Sequence, residues 1–303
     1  MFPQLEGYAT ALLGPLDDAV LATVARDLAS IEQTLVSRSD LRAVVTDTAI
    51  SGPSRAGVLS DLLAGKVSDI ARRVVVFAGG VVPAQDVPHA IAELASFARA
   101  LEHGGAVVPG NLGLMAARRR VGGFTDALLG EVEVEGFAQI EEELFRWART
   151  VEANAPLRRL LLDRDAELES RLGTTEQLLA GRVHRVTLRL ARYVIEGGRP
   201  RDVVGTLDFI VDYVARARDW RVARVHTARP LDAENQVRLV NSLATLTGKS
   251  VELQIVEDPS LLGGVLVEVG DLRLDATTRG RLGVLHDVVA SGHAYESTLN
   301  SND

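Results

Sequence analysis

Leu62-Leu63-Ala64-Gly65-Lys66-Val67 (LLAGKV, 62–67) returns as LLAGRV at 178–183, a displacement of 116 positions. A six-residue echo in a chain rich in Leu and Ala decides little alone, but the same displacement recurs along the chain. Gly7-Tyr8 and Ala11-Leu12-Leu13-Gly14 fall on Gly123-Phe124 and Ala127-Leu128-Leu129-Gly130. Leu41-Arg42 falls on Leu157-Arg158, and Asp86-Val87 on Asp202-Val203. The apolar stripe Leu21, Val24, Leu28, Ile31 and Leu35 steps by three or four, the spacing of one helical face. The same displacement lands on Phe137, Ile140, Leu144, Trp147 and Val151, all apolar. A frame shared over about a hundred residues reads as a duplicated helical domain.

Within each copy the pattern predicts several short helices. A long one follows Asp17 and Asp18, whose charge suits a helix start. The next begins at Ser39 or Asp40 as cap, and two more lie either side of Gly65. Gly79-Gly80, matched by Gly197-Gly198, is expected to stop a helix before the last one of each copy. After Trp220 the pattern changes. RVARVHTARPL is extended, AENQVRLVNSLATLTG has helical spacing, and SVELQIVED alternates as a half-buried strand does. LLGGVLVEVGDLRLD adds a strand or hairpin, and TTRGRLGVLHDVVAS a final helix.

The expected architecture is therefore mainly α: two tandem helical bundles followed by a small α/β domain. The boundaries are 1–101 for the first bundle, 102–116 for a breaker-rich linker, and 117–219 for the second bundle. The α/β domain takes 220–290, and 291–303 is a disordered tail.

Composition narrows the function. The 303 residues carry 47% hydrophobic side chains and only 4% aromatic ones, so the cores rest on Leu, Val and Ala. A formal net charge of -8 opposes nucleic-acid binding, which needs a basic face. With no cysteine there is no thiol catalysis, disulfide or cysteine-bound zinc, and the composition suits a reducing cytoplasm. The N-terminus lacks the basic and apolar regions of a secretory signal, and no run of apolar residues is long enough to span a bilayer. Contact with a membrane is expected only through a partner.

Chemical motifs are scarce. Gly248-Lys249-Ser250 ends like a phosphate loop, but Leu243 stands where the first glycine should be, and a helix precedes it with a strand after. Gly248 reads as a helix C-cap instead. The six histidines show no pair at HxxxH spacing, so no metal is expected. Glu141 to Glu143 read as a solvated helix face, and Arg118 to Arg120 as a solvated helix end. No nucleophile elbow stands out. No catalytic, cofactor-binding or metal residue is assigned, and the profile is that of an adaptor and not an enzyme.

The C-terminal stretches TARPL (227–231), LTGKSVEL (246–253), DPSLLGGVLVEVGD (258–271) and DATTRGRL (275–282) together resemble the C-terminal domain of the delta subunit of F-type ATP synthases, the oligomycin-sensitivity-conferring protein family. The residues carrying the motif are Asp258, Pro259, Gly263, Gly264, Gly270, Asp271, Arg279, Gly280 and Arg281. YATALL (8–13) is similar to the family's opening helix, and the duplication resembles enlarged actinobacterial forms. The resemblance implies a non-catalytic stator subunit at the cytoplasmic face of the cell membrane. It would hold the N-terminal helix of an alpha subunit in a groove of its helical part, and meet the C-terminal end of the b subunit through its α/β part. Tyr8, Leu12, Phe124 and Leu128 are the groove candidates, with an ordinary core role as the competing reading. A general helical scaffold unrelated to ATP synthase is the alternative function.

Overall fold

A stripe spaced at three and four residues is buried when its helix lies along a core, and in the computed structural model all ten stripe residues are. The structure describes residues 1–105, 112–163, 166–196, 202–219, 222–247, 251–261, 263–269 and 272–277. The first repeat comprises α1 (Pro3–Leu13), α2 (Asp18–Ser37), α3 (Ser39–Thr46), α4 (Gly52–Leu63), α5 (Asp69–Val81), a short 3-10 turn (Ala84–Asp86) and α6 (Val87–Glu102). The second comprises α7 (Leu114–Leu129), α8 (Glu135–Ala153), α9 (Ala155–Leu162), α10 (Leu168–Leu179), α11 (Arg185–Glu196) and α12 (Val203–Asp219). Shifted by 116, the bounds of α3 and α4 coincide with those of α9 and α10.

The LLAG echo has a backbone cause. Gly65 and Gly181 adopt φ of 67° and 72°, the left-handed conformation that turns the chain out of α4 and α10. Caps mark other helix starts: Asp17 accepts from the Val20 N–H, Ser51 from Ser54, and Asn154 from Leu157. Two sequence expectations shift here. Ser39 is the first residue of α3 and Arg38 stands at its N-cap, its guanidinium bonded to Asp40. Gly79-Gly80 does not stop the chain but lies inside α5, where it permits close approach. A Cβ at Gly79 would stand 2.4 Å from a methyl of Leu59 on α4. Buried Arg55 of α4 crosses the same seam, donating to the carbonyls of Gly79 (2.8 Å), Val82 (3.0 Å) and Ile50 (3.1 Å). Gly197-Gly198, expected as the equivalent stop of the second copy, lies two positions beyond the 116-residue frame and outside the described residues.

The two repeats share one continuous core and form a helical unit, Met1–Arg218. The stretch 102–116 gives its first residue to α6 and its last three to α7, with 106–111 outside the described residues.

A separate C-terminal unit begins at Asp219. Strand β1 (Val222–Thr227) leads through α13 (Ala233–Thr247) to β2 (Glu252–Glu257), a parallel neighbour. Strands β3 (Val265–Val269) and β4 (Leu272–Asp275) form an antiparallel hairpin, and β3 pairs antiparallel with β1, giving the order β2-β1-β3-β4. Alternation along β1 buries Ala223, Val225 and Thr227 on the face that also holds Leu239 and Leu243 of α13. The expected final helix beyond Thr277 and the tail 291–303 lie outside the described residues.

Candidate functional site

The repeats meet along α1 and α7, and the glycines of the shared frame explain why. A Cβ on Gly7 would stand 1.8 Å from the carbonyl oxygen of Arg120, and one on Gly123 would stand 1.8 Å from that of Gln4. Gln4 and Arg120 occupy the same position of the two repeats, as do Gly7 and Gly123. The contact is thus related to itself by a local two-fold axis. Flanking bonds obey the same symmetry. Arg73 of α5 donates to the carbonyl of Ala127 (3.4 Å), and its counterpart Arg189 of α11 donates to that of Ala11 (2.7 Å). Tyr8 stacks on Phe77 with centroids 3.7 Å apart, and Phe124 stacks on Tyr193 at 3.6 Å. Such a face is isologous, the kind two identical subunits use.

This contact absorbs the four residues read as a docking groove. Leu12, Phe124 and Leu128 are buried and Tyr8 is half-buried, all packed into the core that joins the repeats. Burial also raises the Tyr8 phenol above its ordinary range, against the opposing influence of Arg73. Arg120, read as part of a solvated basic run, is buried too, 3.5 Å from the Glu6 carboxylate. Glu131 faces Arg185 at 3.5 Å, Arg189 at 3.8 Å and Arg73 at 4.0 Å.

A second paired device orders each bundle. Asp27 on α2 accepts the Ser68 backbone N–H at 2.7 Å, at the start of α5. The equivalent Glu143 on α8 accepts the His184 N–H at 2.8 Å, just before α11, and also the Thr187 hydroxyl at 2.6 Å and the Gln139 amide at 2.8 Å. A carboxylate there meets unpaired N–H groups and the positive end of the helix dipole. The expectation of a solvated Glu141–Glu143 face is corrected at this residue: Glu143 is buried, while Glu142 is exposed and pairs with Arg146, and Glu141 pairs with Arg218. Burial alone would raise the Glu143 carboxyl, but its three donors outweigh that and hold it below the usual range.

Two open apolar grooves lie away from the repeat contact. One, of about 650 Å³, runs between α8, α9 and α10 and is lined by Trp147, Leu157, Leu160, Leu178 and Arg182 among others. The other, of about 580 Å³, runs between α2, α3 and α4 and is lined by Ile31, Leu41, Val44, Leu62 and Lys66 among others. These residues correspond one to one under the 116-residue shift. The LLAGKV and LLAGRV segments thus wall the two grooves. The side chains at their mouths are large and apolar, and Val44, Leu62 and Leu178 are each about two-fifths exposed (40%, 39% and 39%). No signal in the sequence had pointed to these surfaces beyond the echo itself.

In the C-terminal unit Asp258 follows β2; its N–H donates to the Thr227 carbonyl at 2.8 Å, and its carboxylate accepts from Ser260. Those donors, the Ser260 hydroxyl first, hold the Asp258 carboxyl below the usual range. Pro259 is exposed in the turn. Gly263 and Gly264 take φ of 144° and 82°, and a Cβ on Gly264 would stand 2.3 Å from the Ala276 carbonyl oxygen. The pair borders a cavity of about 420 Å³ shared with Thr227, Arg229 and Leu231. Gly270, Asp271, Arg279, Gly280 and Arg281 lie outside the described residues, as does Gly248-Lys249-Ser250. Among the described residues no cluster of His, Asp and Glu could hold a metal ion, and no helix is long and apolar enough to cross a membrane.

Comparison with known proteins bears on this arrangement at two scales. The family profile described as ATP synthase delta (OSCP) subunit matches residues 124–288, which span the second repeat and the C-terminal unit. Full-length relatives extend the match through the first repeat. ATP synthase subunit delta of Salinispora tropica is 34% identical over 277 residues, 90% of each chain. The subunit of the same name from Parafrankia sp. is 31% identical over 262 residues, 86% of this chain and 84% of its own. That of Corynebacterium aurimucosum is 29% identical over 281 residues, 92% and 93% of the two chains. The chain belongs to the ATP synthase delta (OSCP) subunit family.

Proposed function

We propose that the chain is the joint of the peripheral stalk in an F-type ATP synthase, linking the catalytic head to the b subunit so that the head does not turn with the rotor. It does no chemistry itself, and it lies at the cytoplasmic face of the cell membrane only through its partners. The observation that carries the reading is the open groove of about 650 Å³ between α8, α9 and α10. It belongs to the repeat that the family profile covers, and its apolar lining and helical walls suit an amphipathic helix. The N-terminal helix of the alpha subunit is assigned to it, since Tyr8, Leu12, Phe124 and Leu128 are engaged between the repeats. The C-terminal end of the b subunit is assigned to the C-terminal unit.

Calorimetric titration of the full chain with an alpha N-terminal peptide, and separately with a C-terminal fragment of b, tests both assignments. Saturable binding of each is expected. Absence of binding to both would remove the stator reading and favour a scaffold with other partners.

A further inference from the structure

Buried polar atoms are almost always hydrogen-bonded, and one in the C-terminal unit is not. Thr227, the last residue of β1, is only 2% exposed, and its hydroxyl has no partner among the described residues. The carbonyl of the same residue accepts from the Asp258 N–H, so it is the side chain that is orphaned. Thr227 also borders the cavity of about 420 Å³. That cavity lies where β1 ends and β3 begins, since Thr227 pairs with Val265. In α/β sheets the crevice beyond the carboxyl ends of parallel strands, here β1 and β2, is where ligands bind.

The lining has a definite chemistry. Arg229 is its only charged residue among those described; it is exposed and makes no ion pair among the described residues. The carboxylates nearest in sequence are engaged elsewhere: Asp232 accepts from the N–H and the amide of Asn235, and Asp258 accepts from Ser260. Ala228, Leu231 and Val265 supply an apolar wall, and Gly263 and Gly264 leave the rim without side chains.

We infer that this cavity binds a small carboxylate with an apolar body, its oxygens meeting the Thr227 hydroxyl and the Arg229 guanidinium. A carboxylate accepts both donors, and the body covers the apolar wall. Inorganic phosphate offers the charge but leaves that wall bare. A bound ligand joins the end of β1, the entry to α13 and the start of β3, so occupancy stiffens the unit.

Amide spectra of the full chain, titrated separately with isovalerate, its neutral isostere isovaleramide and inorganic phosphate, test the assignment. Isovalerate should shift the amides of 227–231 and 263–265 saturably with one Kd, and the other two probes should bind about tenfold more weakly or worse. Arg229→Gln should weaken isovalerate by about 10- to 100-fold, the range of a charge-assisted hydrogen bond. Thr227→Val keeps the shape and removes the orphan; it should weaken isovalerate by about 5-fold or more while leaving the ligand-free Tm unchanged or higher. A lower ligand-free Tm in Thr227→Val would show that the hydroxyl is already paired, and would overturn the site. Absence of a saturable shift with isovalerate, or equal binding of isovaleramide, would also overturn it. Phosphate binding more tightly than isovalerate would refute the carboxylate class. Wild-type affinity for isovalerate in both variants would place the ligand elsewhere and refute the cavity.

Discussion

Replacing Gly7 by Ala adds one methyl group at the centre of the contact between α1 and α7. Its carbon would stand 1.8 Å from the Arg120 carbonyl oxygen, whereas ordinary contact begins near 3.4 Å. The obstacle is backbone, so the helices must part by over an ångström instead of a side chain turning aside. Overpacking of this kind costs about 1–3 kcal/mol. Separation also weakens contacts along both helices, since a gap of about 0.5–1 Å forfeits a quarter to a half of each contact energy. Against this stands the better helix propensity of Ala, about 0.5–1 kcal/mol. The net expectation is a loss of about 2–4 kcal/mol, or a fall in Tm of roughly 5–15 °C for a unit of this size. The two-fold relation adds a sharper test. Gly123→Ala should cost a similar amount, and the double variant less than the sum, because one separation relieves both clashes. Gly57→Ala and Gly173→Ala are matched controls: both lie within helices and a Cβ there meets nothing within 4 Å, so each should raise stability by about 0.5–1 kcal/mol. Differential scanning calorimetry reads all five variants. An unchanged or raised Tm in Gly7→Ala, or full additivity in the double variant, would refute the close symmetric crossing.

Three further expectations concern other parts of the chain. Glu143→Gln removes the charge that faces the start of α11 and should cost about 1.5–3 kcal/mol near neutral pH. Because the folded carboxyl titrates below its ordinary value, its contribution is complete above the unfolded value of about 4.3 and disappears as pH falls through the folded one. The urea midpoints of wild type and variant should therefore start to converge as pH falls below the unfolded value of about 4.3. Gly65→Ala and Gly181→Ala force a side chain into the left-handed region and should each lower stability by about 1–2 kcal/mol, measured by urea titration. Gly264→Ala combines a positive φ with a clash against Ala276 and should accelerate hydrogen exchange in β1 to β4 while leaving the helical unit unchanged.

The helices and strands were legible because burial imposes its period on the residues themselves. Leu21 to Leu35 and Phe137 to Val151 announce a buried face, and SVELQIVED announces a half-buried strand. Glu143 was not open to the same reasoning: at about 100° per residue Glu141 and Glu143 flank the stripe equally, one on each edge, and only the fold turns Glu143 toward the start of α11. The contact between repeats was harder to read. Periodicity says that Tyr8, Leu12, Phe124 and Leu128 are covered, but the same apolar residue serves a partner helix or a neighbouring repeat equally well. The deciding signal lay in Gly7 and Gly123, small residues at one frame position, beside aromatic residues at the next. The grooves were hidden for a different reason. They are made of side chains from three helices, Leu41 and Val44 on α3 facing Leu62 at the end of α4, and only the fold brings these together.

The two-fold relation between α1 and α7 has a consequence for how many stalks can form. A self-complementary face left open on a separate chain recruits a second copy of that chain, and two copies would tether two assemblies together. Here both halves of the face are carried on a single polypeptide, joined by the short stretch between α6 and α7, so each always has its mate at high effective concentration. Duplication thus seals the face from within. It leaves no copy of that face open to a second chain while the protein concentration stays below that effective concentration.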